Sequence, residues 1–393
     1  MCMIFMILSD MKISALYCFV LILFLSSCLS EKKEANNVDG HLCDIERVES
    51  QFPSFDVLHL RSYYLSAPVQ CDSIEALVCY NYKEHMLDYI NVTNEQISQV
   101  PLQMEGPNAI SRLTGIYAHK KDSIWLIDDS ERISLVNEVG SILHTIKIKE
   151  YLDKGEELIV NTNHAMSTIH LYYNSLHESL LITVKDKKKK TSCFKVKEIF
   201  LDKNIPSVVH ELSPSVVVPD ISKGYANMSE PNVSFKNDSI IYNYPIESHI
   251  YVLNMTTGER SVIEADSRYS RNIARKCPSV NDYTVWQKHG FENPHFYDVM
   301  YLEEDDVYVR LHAGEVSLNA DDNLDQVAYK RPLYLTIFNN TFDKLYEGVL
   351  PSNRYNPYTG WNCLKSGIIF FVDKIKEDSE SLVIDVVSCK ERG

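Results

Sequence analysis

Residues 266–294 gather the densest recognition chemistry in the chain: Arg268, Arg271, Arg275, Trp286, His289 and Glu292, with His295 just beyond. A guanidinium meets a carboxylate in a two-point fork, and an indole offers an apolar face. Together such groups could hold a carboxylate or a sugar. A connection of this length is more often functional than a short one. The competing reading is a surface excursion, with the arginines paired to local acids and Trp286 packed. Residues 106–115, GPNAISRLTG, offer Asn108 and Arg112, or else form a turn whose Gly and Pro only set geometry. Residues 354–361, RYNPYTGW, end in Trp361, and their aromatics serve either as a stacking rim or as core packing.

Signatures of catalysis are sparse. Adjacent carboxylates occur at Glu303-Glu304-Asp305-Asp306 and Asp321-Asp322, but no D-x-D-x-D-G calcium loop accompanies them, so they read as solvated turns. The sequence holds no G-x-S-x-G, no H-E-x-x-H and no phosphate-cradling loop. We therefore expect no cofactor and no metal. A Ser/His/Asp set assembled from distant loops stays open, because sequence order does not constrain it.

These residues need a scaffold, and residues 121–148 show what it is. Short strands at 124–127, 132–137 and 142–148 alternate with polar turns, which predicts an antiparallel meander. Its turn-plus-strand unit recurs every 50 to 67 residues: Asp72-Ser73-Ile74, Asp122-Ser123-Ile124, Glu178-Ser179-Leu180, Asp238-Ser239-Ile240, Asp305-Asp306-Val307 and Ser366-Gly367-Ile368. Asp and Ser side chains bond their own backbone in turns, and the apolar run after each suits a strand buried on both faces. Six such units predict an all-β fold, a six-bladed β-propeller of four-stranded antiparallel blades. The last unit lacks an outer strand. An N-terminal strand, taken as residues 55–66, is expected to fill that place and remove the open edge.

The formal charge of −15 argues against nucleic acid, since phosphate contact needs a basic footprint. The one basic run, Lys187 to Lys190, reads as a solvated hairpin tip. Residues 13–27 form an apolar run behind Lys12, too short to span a bilayer and typical of a secretory signal. Leu25-Ser26-Ser27-Cys28 follows with a polar tail and resembles a bacterial lipobox. That resemblance implies a signal peptide over 1–27, lipid on Cys28, and an outer-membrane tether. Residues 28–50 then read as a flexible tether and 51–393 as the propeller. With Cys28 lipidated, the remaining odd set of cysteines is no disulfide framework. Most read as small buried hydrophobes, though Cys43 with Cys71 or Cys79 could pair in an oxidising compartment.

Leu87-Asp88-Tyr89-Ile90, Met104-Glu105-Gly106-Pro107-Asn108, Lys121-Asp122-Ser123-Ile124, and Asn293-Pro294-His295-Phe296 with Val307-Tyr308-Val309-Arg310 resemble a family of Bacteroidetes lipoproteins. These carry a TolB-like six-bladed propeller and are grouped as a domain of unknown function, the DUF4221 type. Where the family tends to an aromatic before the arginine, this chain has Val309. The resemblance implies a cell-envelope address and assigns no catalytic residue. The expected function is binding of a protein or carbohydrate ligand at the axial mouth formed by the loops between blades. The alternative is a propeller hydrolase or lactonase acting on a sugar-like substrate.

Overall fold

The computed structural model describes residues 43–52, 60–70, 74–159, 171–191, 193–220, 224–279, 281–319, 321–356, 360–372 and 382–391. Cys28 and the whole signal region lie outside them. Six antiparallel sheets stand around an axis. Blade 6 opens and closes the chain, beginning with β1 (Cys43–Phe52). Blade 1 holds β2 (Ser66–Pro68), β3 (Ala76–Asn81), β4 (Met86–Asn91) and β5 (Gln96–Pro101). Blade 2 holds β6 (Leu113–Lys120), β7 (Ser123–Asp128), β8 (Arg132–Val136) and β9 (Ile142–Lys147). In blade 3 the inner strand comes in two pieces, β10 (Glu156–Leu158) and β11 (Leu171–Asn174), both paired to β12 (Ser179–Asp186). Then follow β13 (Phe194–Phe200) and β14 (Val208–Glu211). Blade 4 holds β15 (Asn232–Lys236), β16 (Ser239–Asn243), β17 (Ile250–Asn254) and β18 (Arg260–Ile263). Blade 5 holds β19 (His295–Leu302), β20 (Val307–Ala313), β21 (Leu333–Phe338) and β22 (Lys344–Val349). Blade 6 returns with β23 (Trp361–Cys363), β24 (Ile368–Phe371) and β25 (Leu382–Glu391).

The repeated turns at 122, 178, 238, 305 and 366 lead into the second strands of their blades, as the spacing predicts, while Asp72 and Ser73 lie outside the described residues. Those strands are buried along their length: every residue of β3 and β20 is buried. Outer strands such as β5 alternate instead, because only one of their faces meets a neighbour. Left-handed Glu178, Asn237 and Asp306 (φ 49°, 51° and 50°) reverse the chain in three of these turns. Asparagine sets the outer hairpins. Asn91, Asn137, Asn254 and Asn339 each accept bonds from backbone N–H groups a few residues on.

A sheet with two apolar faces must bury both, and here each does so against its neighbours. The large apolar clusters fall one to each gap between blades. Inner strands close the ring. Val69 bridges Ala118 between blades 1 and 2, Tyr117 meets Tyr172 between 2 and 3, and Tyr172 stacks on Phe235 between 3 and 4. Asn232 Nδ2 donates to Phe296 O (2.9 Å) between 4 and 5. Tyr297 meets Trp361 between 5 and 6, and Asn362 Nδ2 donates to Ser66 O (3.0 Å) between 6 and 1.

The closing strand is not where the sequence placed it. β1 pairs with β25 from Cys43↔Glu391 to Phe52↔Leu382, so residues 43–50 belong to the sheet rather than to a tether. Residues 60–65 are irregular and Ser66 begins the inner strand of blade 1. Arg354 clamps the joint. Its Nε and Nη2 bond both oxygens of Asp385 on β25 (2.5 and 2.7 Å), and Nη2 also reaches Glu49 on β1 (2.6 Å). Cys79 is a buried, unpaired thiol in the middle strands of blade 1, which removes it from disulfide pairing. The side chains of Cys43 and Cys71 lie outside the described residues. The Lys187–Lys190 run is an exposed hairpin tip, with Lys189 paired to Glu211.

Candidate functional site

Every inner strand runs from the connection between blades to its repeated turn. The residues singled out from sequence therefore sit at the starts of the inner strands, around one mouth. There the 266–294 connection is partly helical: Asp282 caps α1 (Tyr283–Phe291) by accepting from Thr284 N and Val285 N (3.0 and 3.2 Å). Phe291 packs on Val327 and Ala328 of α2 (Leu324–Lys330). Arg271 pairs with Glu315 (3.0 Å) and donates to Glu292 O. Arg268 donates to Glu347 O (3.2 Å), beside Tyr269, which stacks on Tyr334. Buried His289 bonds Arg275 O (2.5 Å), and half-buried Trp286 lies against Tyr283. His295 is buried beside Tyr297 at the start of β19. Asn108 and Arg112 are exposed on the connection into blade 2. Trp361 is fully buried in the apolar seam between blades 5 and 6, so it is core and not rim.

A cavity of about 550 Å³ opens at the other end of the axis, lined by all six inner strands and the turns that follow them. None of the eight candidates, Arg268, Arg271, Trp286, His289, His295, Asn108, Arg112 and Trp361, lines it. The connections between blades and the repeated turns lie at opposite ends of each inner strand, and this cavity belongs to the turns.

Its wall has two characters. From blade 2 to blade 4 it is aromatic. Tyr117 meets Tyr172 edge-on (5.0 Å), His119 meets Tyr173 likewise (5.2 Å), and Tyr172 stacks on Phe235 (4.9 Å). From blade 4 round to blade 1 it is ionic. Lys236 Nζ lies 3.2 Å from the centroid of the Tyr301 ring and 3.5 Å from Asp306, which also accepts from Tyr301 Oη (2.5 Å). Lys365 faces Glu303 (3.7 Å), and Glu75 accepts from the backbone N and Oγ of Ser366 (2.7 and 2.5 Å). Burial, then the neighbouring Asp306, pushes the Tyr301 hydroxyl well above the usual phenol range. Burial, reinforced by Asp298, pushes the Cys363 thiol up from its own ordinary value, so these two groups stay neutral beside the ion pairs. Among the described residues, no group of three or more His, Cys, Asp or Glu side chains is placed to hold a metal.

The signal for these residues was present in the sequence. They lie near the end of the strand upstream of each repeated turn, or directly after it: Tyr117 and His119 before Asp122, Phe235 and Lys236 before Asp238, Tyr301 and Glu303 before Asp305.

Comparison with known proteins agrees with this architecture. The sequence profile of the domain of unknown function DUF4221 matches residues 48–348. The chain belongs to this family. A crystal structure of a DUF4221 member from Bacteroides vulgatus superposes with a TM-score of 0.69 at 16% identity, covering 89% of this chain and 99% of that one. A protein from Bacteroides fragilis described as exported superposes with a TM-score of 0.53 at 10% identity, covering 88% and 95%. At such identities the likeness is one of fold. Among curated proteins none matches the sequence. No helix among the described residues is long and apolar enough to cross a membrane. The DUF4221 chain is thus a six-bladed propeller with its lined cavity at the turn end of the axis.

Proposed function

We propose that this DUF4221 propeller is an envelope-tethered binding protein that takes its ligand into the axial cavity. One observation carries the reading: six separate inner strands bring aromatic rings and polar groups together in a single cavity of about 550 Å³, within the range of about 300–1,000 Å³ typical of small-molecule sites. The cavity is built on strand ends that bond to one another across blades, so it is preformed and loses little entropy on binding. The ligand is a carbohydrate or a segment of a protein partner and not nucleic acid, because the chain carries a formal charge of −15. A thermal-shift screen of soluble glycans and peptides tests the reading, since a ligand that binds only the folded state raises its melting temperature. A blank at millimolar concentration across the screen would count against it.

The tether follows from Leu25-Ser26-Ser27-Cys28. In this reading Cys28 carries the lipid, and the propeller hangs from the outer membrane on the residues before β1. Two or more acyl chains, at about 0.8 kcal/mol per buried methylene, hold a protein where one chain does not. Metabolic labelling with a fatty acid should mark the native chain and leave Cys28→Ser unmarked. Equal labelling of both would remove the anchor.

A further inference from the structure

We infer that the ligand of the axial cavity is a short neutral saccharide; the inference rests on the binding reading above and gives it a chemical class. Three observations support it. The wall is sided, with rings from blades 2, 3 and 4 (Tyr117, His119, Tyr172, Tyr173, Phe235) opposite polar groups from blades 5, 6 and 1 (Glu303, Asn362, Lys365, Glu75). A pyranose is sided in the same way. One face presents C–H groups that pack on aromatic rings, and its edge presents hydroxyls.

The charges around the cavity are already engaged. Lys236 is held by Asp306 and Tyr301, Lys365 by Glu303, and Glu75 by Ser366. Each of these ties also joins neighbouring blades. An ionic ligand would compete with them, whereas a neutral polyol needs only what they leave over. A carboxylate has about four lone-pair sites, and Ser366 occupies two of those on Glu75. The remainder accept hydroxyl protons without disturbing the seam. Tyr301, whose proton is held tightly, extends the same neutral hydrogen-bonding surface.

The test is isothermal titration of the purified chain with three sets of probes. One set comprises neutral di- and trisaccharides of glucose, galactose, mannose and N-acetylglucosamine; the others are choline and digalacturonate. The expected result is binding of at least one neutral saccharide, with affinity unchanged between low salt and 0.5 M sodium chloride, because no charge is screened. Tyr172→Ala should weaken it at least tenfold, and Tyr172→Phe should retain it. Tyr172 also packs between blades, so His119→Ala provides a second variant with the same expected loss if Tyr172→Ala melts early. Salt-sensitive binding of choline or digalacturonate, with none by neutral sugars, overturns the neutral saccharide as ligand and leaves the cavity as a binding site. Saccharide binding untouched by either variant places the sugar elsewhere and overturns the inference. A blank for all three classes overturns this inference, while the binding reading beneath it falls only if the peptides of the thermal-shift screen are blank as well.

Discussion

Removing Arg354 should unlatch the ring at its one seam between chain ends. Arg354→Ala deletes two bonds to Asp385 (2.5 and 2.7 Å) and one to Glu49 (2.6 Å). The Asp385 side chain is fully buried, while those of Glu49 and Arg354 are 42% and 25% exposed. Stripping one partner from a buried ion pair costs about 3–5 kcal/mol. The low end applies here, because Tyr355 Oη still bonds Asp385 (2.5 Å) and water reaches the vacated site. The Glu49 contact adds about 0–1 kcal/mol, as exposed pairs do. We therefore expect a loss of about 3 kcal/mol in urea unfolding. Hydrogen exchange should rise in residues 43–52 and 382–391 before it rises elsewhere. The double variant Arg354→Met/Asp385→Asn should recover more than half of the loss, since no buried charge is then left alone. Unchanged stability, or exchange that rises evenly in all six blades, would refute the view that this clamp seals the ring.

Burial acts to raise the Glu156 carboxyl, but bonds from Lys195, Lys197 and Asp153 hold it down at about 2, and Glu198 is held at about 2 against its own burial by His210, Ser179 and His177. Both are depressed in the folded state, so their stabilisation is complete above the ordinary carboxylate range and is lost as pH falls from about 4.5 toward 2; Glu156→Gln should flatten the acid limb of a stability–pH curve. Gly360 has φ 89°, and a Cβ there would meet Tyr63 O at 2.1 Å, so Gly360→Ala should cost at least about 1–3 kcal/mol in denaturant unfolding. Fully buried Arg310 donates to Ser248 O and Ala265 O (2.5 and 2.7 Å) across the gap between blades 4 and 5. Arg310→Leu leaves two carbonyls unsatisfied and should cost about 1–3 kcal/mol for each that stays buried, by calorimetry or denaturant, and Arg310→Lys should restore little, because a point charge does not span two separated carbonyls.

Much of the scaffold was legible because its signals are local. Asp122-Ser123-Ile124 and its counterparts carry their own turn chemistry, and a strand buried on both faces is a continuous apolar run wherever it occurs. The helix α1 was missed, although Asp282 is a good cap, because its nine residues show little amphipathic periodicity against the loop around them. The closing strand was expected but placed too late in the chain, for a related reason. CDIERVESQF is too polar to look like a strand, and its partner lies at the far end of the chain.

The sequence by itself determined the number of sheets, the second strand of each, the turns before them, and the missing outer strand of the last blade, all set by residues close together in the chain. Only the tertiary structure decided which N-terminal segment fills that gap, that a lined cavity opens at the turn end of the axis, and that Trp361 packs in a seam while His289 and Arg271 bond neighbouring groups. Those outcomes depend on contacts between residues far apart in sequence. A tryptophan or arginine has the same local pattern whether it faces a ligand or a neighbouring blade, and only the closed ring distinguishes the two.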